Sequence, residues 1–243
     1  MHKIFIILLI LFQCRVSFSQ LEPSEYLKFG IKEVEVKNFD QAINYLTQYL
    51  DSDPQNAVAR FNRAYAYYSL QQLDNALQDA TVAVNNNPQY TFAFNLRGLI
   101  YTSMKMYSNA VLDFNSAIFS NPDFADAYMN RAVTYKLQNN YAEAVSDLNN
   151  ALSINPALIE AYLIRGETLV SMGNYDQAIK DLTTYISNIQ NKAAAFAARG
   201  LAYYQTGNYT GAVSDLEKAI ELQPEMENDF STVLTDARNK QKK

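Results

Sequence analysis

The chain has 243 residues, 49% of them apolar and 19% charged, with a formal net charge of −5. These proportions belong to a folded chain, and the acidic balance repels phosphate backbones, which excludes nucleic acid as a natural partner. Only 7 glycines and 6 prolines punctuate it, too few turn formers for a many-stranded sheet, so the composition favours long helices.

In chain order, residues 1–19 read as an export signal. Met1, His2 and Lys3 form a short basic start, and Ile4 through Phe12 is an apolar run too short to span a bilayer. Ser17-Phe18-Ser19 then sets small residues three and one before a cut ahead of Gln20. Cys14 follows Leu11 at the spacing of a lipid-attachment site, but Gln13 occupies the place where that site needs a small residue. The expected location is therefore beyond the exporting membrane: periplasmic, envelope-associated or secreted. Membrane contact is expected only through an uncleaved signal or a lipid anchor. Removing residues 1–19 deletes Cys14 and His2, the sole cysteine and histidine, and leaves 18 basic against 25 acidic side chains. Such a mature chain has no disulfide, no Cys or His nucleophile, no imidazole base and no Cys/His metal cage. No cofactor is expected.

From residue 23 onward the sequence repeats. Pro54, Pro88, Pro122 and Pro156 are each 34 residues apart, and Pro224 lies two periods further on, with Gln190 in the skipped place. The units are 23–56, 57–90, 91–124, 125–158, 159–192 and 193–226. Position 20 of every unit is alanine: Ala42, Ala76, Ala110, Ala144, Ala178 and Ala212. Position 8 is always Gly or Ala, from Gly30 to Gly200. Side chains this small let two helices approach closely. Positions 4, 8 and 11 share one helical face, and positions 20, 24 and 27 share another, so each unit reads as two amphipathic helices, A and B, joined by a short turn. Asn-Pro at 87–88, 121–122 and 155–156 ends one unit and opens the next. Phe230, Val233, Leu234 and Ala237 continue the helix A pattern with a polar outer face, which predicts a capping helix over 227–243.

This pattern resembles the tetratricopeptide repeat family, whose unit is a 34-residue helix–turn–helix. The resemblance covers residues 23–226 and implies an all-α solenoid of right-handed superhelical form. Glu33, Arg60 and Gln190 depart from the family pattern and predict a looser first helix and an altered joint between units five and six. The resemblance also implies that the A helices line a concave groove which holds a protein or peptide segment. By position, the groove residues are Leu27, Phe61, Tyr65, Tyr68, Phe92, Asn95, Leu99, Met129, Lys136, Leu163 and Glu167. Phe61, Tyr68 and Phe92 are expected to be exposed. Tyr65 and Leu99 read equally as groove wall or as core. The N-terminal half is apolar and aromatic, and the middle mildly acidic. A clamp for a C-terminal carboxylate is not expected, because Asn62 is the sole match to such a motif in the first three units and its lysines are missing.

Arg63, Arg97, Arg131, Arg165 and Arg199 recur at position 7, and Asp79, Asp113, Asp147, Asp181 and Asp215 at position 23. Matched numbers predict structural pairs, with Arg97–Asp113, Arg131–Asp147 and Arg165–Asp181 as the central three, rather than a polyanion site. Glu160 and Glu167 share a helix, about 10 Å apart along its axis, with no nucleophile, metal cage or oxyanion donor beside them, so no enzyme is expected. Asn208-Tyr209-Thr210 has the form of a glycosylation triplet but also fits the turn pattern. The functional expectation is an exported, non-enzymatic scaffold whose groove takes a segment with apolar anchors. The alternative is a homo-oligomer assembled through the apolar N-terminal repeats.

Overall fold

The computed structural model describes residues 21–242, so the export-signal reading over 1–19 lies outside the described residues. Among the described residues every regular element is a helix. The six units give six antiparallel pairs: α1 (Pro23–Glu35) with α2 (Phe39–Ser52), α3 (Ala57–Ser69) with α4 (Leu73–Asn86), α5 (Thr91–Ser103) with α6 (Tyr107–Ser120), α7 (Ala125–Leu137) with α8 (Tyr141–Ile154), α9 (Ile159–Ser171) with α10 (Tyr175–Asn188), and α11 (Ala193–Gln205) with α12 (Tyr209–Leu222). A 3₁₀ turn (Pro224–Met226) leads into α13 (Glu227–Gln241).

Every pair closes on the same contact. The alanine at position 20 is wholly buried in all six units. At position 8 a small residue faces position 24 of the same unit, which is Leu or Phe in every unit but the second. A β-carbon added at Gly98 would stand 2.6 Å from the Phe114 ring, and one added at Gly166 would stand 2.6 Å from Leu182. Unit two uses Ala64 and Ala80 at these places, and unit four uses Ala132 and Leu148. Position 8 therefore stays small in every unit, as close packing at the crossing requires.

Each A–B turn contains one residue in the left-handed region. It falls at position 15 throughout: Lys37, Gln71, Lys105 and Asn139 with φ of 60–61°, then Gly173 and Gly207 with φ of 78° and 81°. An amide from the turn returns to a carbonyl in the last turn of helix A, as in Asn140 to Tyr135 and Asn174 to Leu169, both 2.9 Å. At the B–A turns the Asn side chain organises the chain: Asn87 and Asn121 accept from the amides two residues on at 3.2 Å, and Asn155 at 3.1 Å. Gln190 replaces the proline at the next joint, and there α10 ends at Asn188 and α11 begins at Ala193.

The helices at A positions pack on one another in sequence, α1 on α3, α3 on α5, α5 on α7, α7 on α9 and α9 on α11, whereas no comparable contact joins the B helices. A two-layered ribbon with one layer drawn together curves toward that layer, so the A helices form the concave side. At the C-terminal end α13 covers unit six. Its Leu234 and Ala237 are buried, and Phe230 packs on the cluster around Phe196 and Ala219. Asp236 accepts from Tyr204 at 2.5 Å, and Arg238 pairs with Glu217 at 2.7 Å.

Two stability predictions follow from this geometry. Gly98→Ala is expected to cost about 1–3 kcal/mol through overpacking, and adding Phe114→Leu should recover part of that loss, because Ala132 already sits over Leu148. Gln71→Gly removes a left-handed non-glycine residue and is expected to stabilise the protein by up to about 1 kcal/mol. Both are read from denaturant midpoints.

Candidate interaction surface

The Arg–Asp column is a structural lattice. Arg97 donates from Nε and Nη2 to the two oxygens of Asp113 at 2.7 and 2.8 Å, and Arg165 does the same to Asp181 at 2.7 and 2.8 Å. Arg131 holds Asp147 at 2.7 and 2.6 Å. Five aspartates of this column are buried, from Asp79 to Asp215. The free Nη1 reaches back to the preceding unit: Arg63 to Thr47 at 2.9 Å, Arg165 to Asn149 at 2.8 Å, Arg199 to Thr183 at 3.1 Å, and Arg131 to Asn115. Each guanidinium therefore ties its own helix pair together, and those of Arg63, Arg131, Arg165 and Arg199 also join that pair to the one before. The aromatic residues at positions 4 and 11 flank it, as Phe94 and Tyr101 do for Arg97 at 5.7 and 5.8 Å. Burial is the largest influence on the Arg97 and Arg131 pKa values and lowers them, but the hydrogen bonds and charge of Asp113 and Asp147 outweigh it, leaving both above the ordinary value.

Two departures from the column are coherent. Arg60 replaces the aromatic at position 4 of unit two and becomes a second guanidinium on Asp79, at 2.6 Å. Unit one has Phe29 and Tyr45 where the others have Arg and Asp, and these two rings pack tilted with centroids 5.7 Å apart. In unit one both members change together; in unit two the Arg63–Asp79 pair is kept and gains a partner.

The concave side receives the groove residues unequally. Tyr65 and Phe92 are exposed, at 40% and 56%, together with Val58 at 43%. Leu27, Asn95, Leu99, Met129, Lys136 and Glu167 are half-buried. Three expectations need correcting. Phe61 and Tyr68 are half-buried rather than exposed, because both sit at the seam between units two and three: Phe61 packs on Ala83 and Val84 of α4, on Ala93 of α5 and on the Tyr90 ring at 5.1 Å, and Tyr68 packs on the cluster of Ala64, Ala80, Leu96 and Ile100. Leu163 is buried at 5% in the cluster around Leu182 and Phe196, so it is core and not groove wall. The acidic middle is also partly neutralised, since Lys136 pairs with Glu167 at 2.5 Å across α7 and α9. Asp126 and Glu160 stay exposed. Burial, followed by the charge of Glu160, raises the Tyr185 pKa.

The sequence reading missed Tyr90 and Phe124. They precede α5 and α7 and extend a run of rings along the groove edge: Phe61 to Tyr90 at 5.1 Å, Tyr90 to Phe92 at 6.4 Å, and Phe92 to Phe124 at 5.2 Å. The signal was present at position 34, which reads Asn56, Tyr90, Phe124 and Leu158. Burial raises the Tyr90 pKa. Among the described residues no group of acidic, His or Cys side chains is placed to hold a metal, and no helix is long and apolar enough to cross a membrane.

Arg131→Ala is expected to cost about 2–4 kcal/mol by stranding a buried carboxylate. Arg131→Lys should recover only a small part, since an ammonium cannot make the two-pronged contact. Equilibrium denaturation measures both.

Models described as tetratricopeptide repeat match residues 27–91, 125–158, 159–191 and 193–226. No curated protein sequence matches. Among solved structures, YrrB, described as a TPR protein with an unusual peptide-binding site, is 22% identical with a TM-score of 0.64, over 80% of this chain and 97% of that one. PilF of Pseudomonas aeruginosa is 17% identical with a TM-score of 0.78, over 86% and 96%. The Cut9–Hcn1 hetero-tetramer of APC/C gives 18% and 0.74, over 89% of this chain and 43% of that one. With repeat models spanning more than half of its residues and the paired-helix array described above, the chain belongs to the tetratricopeptide repeat family.

Proposed function

We propose that this protein is an exported, non-enzymatic scaffold that holds a segment of another protein in its concave groove. The observation that carries the reading is the exposure of Val58, Tyr65 and Phe92 on consecutive A helices. The core columns behind them are already filled, and although Tyr65 meets the edge of Phe39 and Phe92 meets Tyr90 and Phe124, much of each side chain faces solvent. A tyrosine and a phenylalanine at the floor of a groove are the residue types that anchor a partner. The ring series from Phe61 to Phe124 supplies a rigid wall beside them. Rigid aromatics lose little freedom on binding, which favours affinity.

Two structural neighbours support the class of activity: YrrB is described with a peptide-binding site, and Cut9 is found in a hetero-tetramer with Hcn1. Export rests on the residues at the N-terminus alone. The predicted occupant has apolar anchors, with a basic residue toward Asp126 and Glu160. The close ion pair of the groove, Lys136–Glu167, links α7 to α9.

The test is cross-linking in the native compartment with identification of what is captured. Tyr65→Ala combined with Phe92→Ala is expected to reduce capture by about tenfold or more. Helicity and unfolding midpoint should hold to within about 1 kcal/mol, as expected of exposed positions. Unchanged capture by the double variant sinks the groove reading.

A further inference from the structure

The exposed apolar side chains divide by place. Val58, Tyr65 and Phe92 belong to the groove, while Val36, Met106, Leu137 and Met172 sit at helix ends and turns. Two remain. Leu112 and Phe119 lie on α6, on the outer side of the ribbon, and are 64% and 89% exposed. They are seven residues apart, about 10 Å along the axis, on one face of the helix. Ser116, a small side chain, lies between them.

The surroundings identify what can cover this face. The charged residue of α6 is Asp113, which is buried and bound by Arg97. Each of the other five B helices exposes at least one acidic side chain: Asp40, Asp74, Glu143, Asp176 and Glu217. Thus α6 is the one outer helix, among the described residues, whose own exposed face carries no carboxylate, in a chain whose net charge is −5.

We propose that α6 is a self-association surface through which two copies pair antiparallel about a two-fold axis near Ser116. In that arrangement Leu112 of each copy packs on Phe119 of the other, and the two serines let the helices cross closely. Lys105 stands before the helix and Asp123 beyond it. Antiparallel pairing brings opposite charges together at both ends, and parallel pairing opposes like charges. Two convex ribbons touch over few helices, so the interface falls below the standard size and the dimer is weak. Both grooves remain open, and the complex is bivalent for whatever the groove holds.

Sedimentation equilibrium of the mature chain from micromolar to millimolar concentration tests this. A reversible monomer–dimer equilibrium is expected, with Phe119→Glu and Leu112→Glu each monomeric at unchanged helicity. Ser116→Cys, in a chain lacking Cys14, should form an interchain disulfide under oxidation, and Ser146→Cys on the neighbouring outer helix should not. Lys105→Glu should weaken the dimer and Lys105→Glu with Asp123→Lys should restore it. A wild-type chain that stays monomeric throughout overturns the proposal, as does a dimer indifferent to Phe119→Glu. Binding of Phe119 to phospholipid vesicles by a monomeric chain also overturns it.

Discussion

Two helices in this protein can share a core only because one of them gives up its side chain where they cross. At position 8 a glycine or alanine accepts the body of the residue at position 24, and the alanine at position 20 closes the other side. The gap is so small that a single added methyl meets Phe114 or Leu182 well inside contact distance. Everything else is arranged around that crossing. The turn must reverse the chain within a few residues, which forces one left-handed residue at position 15 of every unit. Repetition of the crossing every 34 residues produces the stack.

Packing of this kind is not directional, and alanine faces could slip along one another. The guanidinium–carboxylate lattice supplies direction. A two-pronged Arg–Asp contact has one geometry, so each arginine sets the register within its pair, and in four of the five the third nitrogen reaches the preceding unit and sets the spacing between pairs. Partly buried pairs contribute modest net stability once desolvation is counted, and their larger effect is on which arrangement forms. In unit one a tilted ring contact of Phe29 with Tyr45 takes the place of the ion pair.

The same curvature separates two kinds of surface. Drawing the A helices together buries part of most groove residues against their neighbours and leaves Val58, Tyr65 and Phe92 the most exposed. Splaying the B helices apart leaves their outer faces isolated, and most are covered with acids and amides. The concave side therefore offers a continuous ledge for a chain-like guest, and the convex side offers single-helix contacts.

Much of this was legible in residues 23–226 before any coordinates. The period, the six helix pairs, the alanine column and the matched arginines and aspartates all follow from steric and charge rules that act between positions of fixed spacing, and such rules leave a mark in every copy of a repeat. What the sequence could not settle was the fate of side chains at the seams between units. Phe61, Tyr68 and Leu163 occupy positions that look like groove wall, yet the distance between neighbouring A helices decides how much of each is covered, and that distance is a sum over every crossing in the stack. Tyr90 and Phe124 were overlooked for the same reason, since they become one surface with Phe61 and Phe92 only after the helices are set side by side. Spacing within one unit is a local property that the chain writes out directly; exposure between units belongs to the curvature, and only the assembled tertiary structure determines it.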